Sequence, residues 1–237
     1  MPNSNLQQIS LVSIRTREVC DAFVKNIGKS FLKNVGLEVC AEFLDEVLEA
    51  VINSKVESLS FPYACSDCWF GFGDHKCTMF IDSNLTILQR YINKLPVKEL
   101  SIERGSLKIV NLISVVEYLN ETASIRELDL SYIDFDNCEL VQLGNHLCWT
   151  RLTSISFSVK TLDKDSVAKQ FAMSVCNSNL RILTMYIEDC TLSALETLLN
   201  SLQASQIFKL NIRLPSVNEK ETRKLLWKSY RFQVELV

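Results

Sequence analysis

The feature that most constrains this chain is a six-residue pattern returning at near-constant intervals: aliphatic, two variable residues, aliphatic, one variable residue, aliphatic. It reads V-E-S-L-S-F from Val56, V-K-E-L-S-I from Val97 and I-R-E-L-D-L from Ile125. It returns as L-T-S-I-S-F from Leu152, L-R-I-L-T-M from Leu180 and I-F-K-L-N-I from Ile207. The last five begin 28, 27, 28 and 27 residues apart. A second register runs between them: Leu88, Val115, Leu143, Phe171, Leu198 and Leu225 are 27, 28, 28, 27 and 27 residues apart. Four residues after the first five of these stand Ile92, Leu119, Leu147, Val175 and Leu202. Residues four apart share a helix face, whereas alternate residues share a strand face. Each interval is therefore predicted to hold a short strand and then an amphipathic helix. Neither element can bury its apolar face alone, so the units must stack, strand beside parallel strand and helix beside helix.

Composition narrows the function. The chain has 237 residues, of which 47% are hydrophobic, enough for a sizeable core. With 25 basic against 28 acidic residues, it has no strong field to recruit nucleic acid or anionic lipid. No apolar run approaches a membrane span, and the first residues lack the basic start and apolar run of a signal peptide. Nine cysteines, an odd number, fall mostly inside periodic apolar segments, which favours a reducing compartment, the cytoplasm or the nucleus. No Gly/Ser-rich or Pro-rich linker divides the chain.

The segment I-R-E-L-D-L-S-Y-I-D-F, Ile125 to Phe135, resembles a leucine-rich repeat. The alternation of 27 and 28 residues and the helical second half resemble the ribonuclease-inhibitor class of that superfamily. The resemblance covers about residues 56 to 237. It implies an α/β solenoid, a horseshoe with parallel strands on the concave face and helices on the convex face. The family usually carries Asn or Cys three residues after the last strand aliphatic. Here Ala64, Gly105, Ile133, Lys160, Glu188 and Pro215 stand there, so the ladder of turn-binding side chains is missing and irregular turns are expected.

Residues 1–55 read as a helical N-terminal cap with a strand from Leu6, where L-Q-Q-I-S-L matches the pattern with Leu11 as its last aliphatic, and residues 56–237 as the solenoid. One helix is expected from about Thr16 to Ile27, ending at Gly28, and another from about Leu37 to Ile52. T-R-E-V-C-D-A-F-V in the first resembles the Elongin-binding box of cullin-type ubiquitin-ligase receptors. Cys20 and Val24 fit that box, and Thr16 stands where it has Leu. The helix thus reads as a cap or as a docking element. After Pro215 a charged helix and the strand F-Q-V-E-L are expected to close the solenoid, with Arg231 at an aliphatic position.

The Val56 unit is 41 residues long and carries about 14 extra residues, an insertion at about 62–82. Cys65, Cys68, His75 and Cys77 there have the ligand types of a structural zinc site. The alternative is an ordered loop with reduced thiols. Trp69, Phe70 and Phe72 in the same loop either pack inward or anchor a partner.

No nucleophile elbow, phosphate loop or dinucleotide fingerprint occurs, and there are only two histidines, so catalysis is not expected. A protein partner is expected on the concave face. The variable strand residues there are Glu99, Ser101 and Glu103, then Glu127, Asp129 and Ser131, then Ser154, Ser156 and Ser158. Ile182, Thr184 and Tyr186 follow, and Lys209, Asn211 and Arg213 end a run that grades from acidic to basic. Tyr186 with Ile182 offers an apolar anchor. The expected role is a scaffold or adaptor within a protein complex. The alternative is a ubiquitin-ligase substrate receptor.

Overall fold

The structure, a computed structural model, describes residues 7–62, 82–103, 107–119, 123–214, 225 and 230–236. Strand and helix alternate as the spacing requires. The first compact unit holds β1 (Gln8–Ile14), α1 (Arg17–Ile27), β2 (Asn34–Val39), α2 (Ala41–Ile52), β3 (Ser58–Phe61), α3 (Asp82–Tyr91), β4 (Glu99–Ile102) and α4 (Ile109–Tyr118). The second holds β5 (Glu127–Phe135), α5 (Asn137–Leu147), β6 (Ser154–Leu162), α6 (Asp165–Cys176), β7 (Ile182–Cys190), α7 (Leu192–Leu202), β8 (Lys209–Arg213) and β9 (Gln233–Leu236). Within each unit successive strands are neighbours and all pairs are parallel. Among the described residues no helix is long and apolar enough to cross a membrane.

The repeat positions build the two cores. In the first unit Val35, Leu59 and Leu100 form one row across the sheet. Leu44, Val47, Leu48 and Val51 of α2 are buried, as are Leu85 and Leu88 of α3. In the second unit Leu128, Ile155, Leu183 and Leu210 form one row, and Leu130, Phe157, Met185 and Ile212 the next. None of these eight is more than 2% exposed. Each such side chain contributes about 1.5–3 kcal/mol of burial. Phe157 stands edge-on to Phe135 at 5.7 Å and to Phe171 at 5.8 Å between ring centroids.

Three expectations are corrected. First, the helix expected from Leu37 begins at Ala41, because Val35, Leu37 and Val39 alternate as a strand between β1 and β3. Residues 8–52 are thus two further strand–helix pairs. Second, Leu11 is not an inner residue of β1. A bulge between Ile9 and Val12 moves the inner register to Val12 and Ile14, beside Leu37 and Val39, and leaves Leu11 40% exposed.

Third, the irregular turns expected at Ile133, Lys160 and Glu188 are strand instead: β5, β6 and β7 run nine residues each, through those positions. No Asn is present to turn the backbone, and Ile133, Phe135, Val159 and Ile187 extend the apolar series into the core. Ala64, Gly105 and Pro215 lie outside the described residues.

A different polar ladder, not expected from the sequence, runs along the opposite, helix-to-strand edge, with Ser or Thr as the residue. Ser30, Ser54, Thr150, Ser178 and Ser205 each donate to the carbonyl three residues back, at 2.6–2.9 Å. Each also accepts the N–H two residues on, from Leu32, Val56, Leu152, Leu180 and Ile207. One hydroxyl thus adds a second bond to a helix-end carbonyl that also accepts the backbone N–H of the same Ser or Thr, and it satisfies the first inward amide of the next strand.

At the C-terminus β9 pairs with β8, and Val234 lies beside Leu210 as the spacing requires. Arg231 is exposed at the aliphatic position, and Phe232, 5% exposed, turns inward one residue later. Of the charged helix expected after Pro215, only Leu225 is described; it is helical and buried.

Candidate binding surface

In the second unit the residues between the inner rows point to the face of the sheet opposite the helices. Parallel register sets them in lines. Glu127, Ser154, Ile182, Lys209 and Gln233 form one line, and Asp129, Ser156, Thr184, Asn211 and Glu235 the next. Ser158, Tyr186 and Arg213 form a third. In the first unit Ser58 stands beside Glu99 and Ser60 beside Ser101, while Glu103 donates its backbone N–H to the Phe61 carbonyl at 3.1 Å.

Much of this face is engaged internally. Asp129 accepts from the Ser131 backbone N–H at 3.0 Å and from the Ser131 hydroxyl. Ser158 is 7% exposed and donates to the Ser131 carbonyl. Thr184 is 9% exposed and accepts from Asn211 Nδ2 at 3.0 Å. The acidic-to-basic grade holds from β5 to β8, but it does not end there. β9 returns a carboxylate, and Lys209 Nζ lies 2.9 Å from Glu235 Oε2. Arg213, by contrast, is exposed and forms no ion pair with any described residue.

A cleft of about 360 Å³ opens at the far end of the third line. Tyr132, Tyr186, Ser158 and Arg213 line it together with Asp134 and Glu188. Tyr132 is 61% exposed and Tyr186 half-buried. The arrangement offers two aromatic walls, a guanidinium and two carboxylates. It can grip a protruding side chain and fix its orientation by charge.

Of the residues expected here, the structure gathers Ser131, Ser158, Tyr186 and Arg213 at one cleft. Tyr132, Asp134 and Glu188 were missed because the strands were expected to stop before them. The signal was present: apolar residues continue at Ile133, Phe135 and Ile187, which requires the intervening residues to face outward.

Cys20, expected on a docking helix, has no exposed surface: it lies on the buried face of α1. Burial pushes its thiol above the ordinary range, with further effects from Glu46, Arg17 and Asp21. Val24 on the same helix is 37% exposed. The zinc candidates Cys65, Cys68, His75 and Cys77 and the loop aromatics Trp69, Phe70 and Phe72 lie outside the described residues. Among the described residues no group of three or more His, Cys, Asp or Glu is placed to hold a metal ion.

No known family profile matches the chain, and no curated protein matches it.

Proposed function

We propose that this chain is a divergent leucine-rich-repeat protein of the ribonuclease-inhibitor-like class. It acts as a non-enzymatic scaffold or adaptor within a protein complex, and its partner docks on the open face of β5–β9. The observation that carries this reading is the cleft between Tyr132 and Tyr186, flanked by Arg213 and bordered by the polar lines of the sheet. Tyrosine and arginine lead the residue types that dominate protein–protein binding energy. The acidic residues Glu127 and Asp129 supply orientation and a salt-dependent encounter rate. The docking-box alternative gains nothing from Cys20, whose side chain is enclosed by its own unit.

The test begins with identification of the proteins that co-purify with the full chain from its native source. Binding of the identified partner is then measured against variants. Tyr186→Ala and Tyr132→Ala are each expected to weaken binding by about ten-fold or more, the effect of losing an anchor worth roughly 1.4–2 kcal/mol. Glu127→Lys with Asp129→Lys is expected to slow association and flatten its salt dependence. Wild-type affinity in both tyrosine variants would sink the assignment of this face.

A further inference from the structure

A second concavity in the second unit, about 780 Å³, lies at the other end of the strands, where helix turns into strand. Arg126, Arg151 and Arg181 line it, with Trp149, Asn179 and Gln206. No lining residue is acidic. Arg151 and Arg181 are exposed and form no ion pair with any described residue. Trp149 is 77% exposed, the most exposed large hydrophobic side chain described.

Helix C-termini also point to this edge, and arginines there could simply answer the helix dipoles. The magnitudes decide otherwise. Each helix end carries roughly half a negative charge. The ends of α5, α6 and α7 together carry roughly one and a half negative charges against the two full charges of Arg151 and Arg181, so a net positive field is left over without counting Arg126.

The first unit shows what normally fills such a place. There Lys33, Glu57 and Lys98 occupy the same positions before their strands as Arg126, Thr153 and Arg181. The backbone pattern is identical. The Lys33 carbonyl accepts from Glu57 and Ser58, and the Glu57 carbonyl from Lys98 and Glu99. Likewise the Arg126 carbonyl accepts from Thr153 and Ser154, and the Thr153 carbonyl from Arg181 and Ile182. In the first unit the middle residue is a carboxylate bridging both cations, 3.2 Å from Lys33 Nζ and 3.1 Å from Lys98 Nζ. Hydrogen bonds from Lys98 and Lys33 hold the Glu57 carboxyl below the usual carboxylate range. In the second unit the middle residue is Thr153, whose hydroxyl donates to the Arg126 carbonyl at 3.2 Å and brings no charge.

We infer that the Arg126–Arg151–Arg181 concavity binds an acidic peptide segment, one carboxylate of which takes the place that Glu57 fills in the first unit. An apolar residue of the same segment covers Trp149. Arginine presents paired donors that match a carboxylate in two-point geometry. Nucleic acid fits less well: the chain is net −3, and a strand needs a basic track along many phosphates. The site is separate from the tyrosine cleft and does not depend on the reading of that cleft.

The experiment is fluorescence anisotropy on the full chain with labelled peptides. One carries four glutamates followed by two leucines. A second replaces the glutamates with glutamine, a third replaces them with phosphoserine, and a twelve-nucleotide single-stranded DNA is the fourth probe. The glutamate peptide is expected to bind saturably and the glutamine peptide at least ten-fold more weakly. Arg151→Ala with Arg181→Ala is expected to weaken the glutamate peptide at least ten-fold, and Trp149→Ala about five-fold, with unchanged melting temperatures. Thr153→Glu supplies an internal carboxylate and is expected to abolish binding, whereas Thr153→Gln leaves it in place. Tyr186→Ala is expected to leave this binding untouched. Equal binding of the glutamine peptide, or full binding by Thr153→Glu, would overturn the inference. Tighter binding of the DNA, or of the phosphoserine peptide alone, would equally overturn the carboxylate assignment.

Discussion

Gly36 sits in β2 where the bulge of β1 brings a backbone carbonyl unusually close. A Cβ added there would lie 2.2 Å from the Ser10 oxygen and 2.9 Å from its carbonyl carbon, both main-chain atoms that cannot swing aside. Gly36→Ala is therefore expected to destabilise the first unit by about 1–3 kcal/mol, the usual cost of forcing atoms into a filled site. A lowered denaturation midpoint with unchanged slope would confirm it, and a wild-type midpoint would refute the close approach. Nothing in the repeat spacing announces this glycine, because the contact arises from the bulge between Ile9 and Val12, and bulges break the alternation that makes strands readable. The same limit explains Leu11, which alternation places inside and the bulge leaves exposed. By contrast Tyr186 was legible, since the register of β7 is uninterrupted along β6. Tyr132 lies within a register shift of β5 between Leu130 and Asp134, so the alternation of Leu128 and Leu130 does not carry through to it; only the new series of Ile133 and Phe135 marks the residues there.

At the scale of the element, helix identity followed directly from four-residue spacing, and strand position from the six-residue pattern. Strand length did not. The family resemblance placed a turn after each pattern, and it drew attention to the wrong edge for a polar ladder. The Ser/Thr signal was in the sequence throughout, three residues after the last helix aliphatic and two before the first strand aliphatic. It reads V-C-N-S-N-L at 175–180 and L-Q-A-S-Q-I at 202–207. Ser178→Ala tests its weight. Ser178 is 4% exposed, donates to the Val175 carbonyl at 2.7 Å and accepts from Leu180 N–H at 3.3 Å. Removing it leaves the buried Leu180 N–H without its acceptor, while the Val175 carbonyl keeps the Ser178 backbone N–H at 3.0 Å, for an expected loss of about 1–3 kcal/mol. Chemical denaturation measures this directly, and a change within experimental error would show that the hydroxyl bonds carry no net weight.

For the whole molecule, the repeat was the most legible property because two element types keep time independently. The first 55 residues were less so: Leu37 to Val39 can extend a helical pattern or end a strand, and only pairing with β1 and β3 decides. Each unit encloses its own core, and the edge-to-face series Phe135–Phe157–Phe171 lies wholly in the second. Phe157→Ala is expected to cost about 3–5 kcal/mol. Hydrogen exchange should show amides of β5, β6 and β7 losing protection ahead of those of β2; uniform loss along the chain would contradict separate cores. The Ser/Thr ladder has one more consequence, for where such a chain can grow. Ile27, Val51, Ile92, Leu147, Val175 and Leu202 each stand five residues before the next inward strand residue, and in all but the third a hydroxyl ties the two ends together. A residue added on that side would break a bond at both ends at once. Extra length can enter cheaply only on the side where strand turns into helix. That is the side carrying residues 62–82, and it is where an epitope tag or a fused domain should be tolerated.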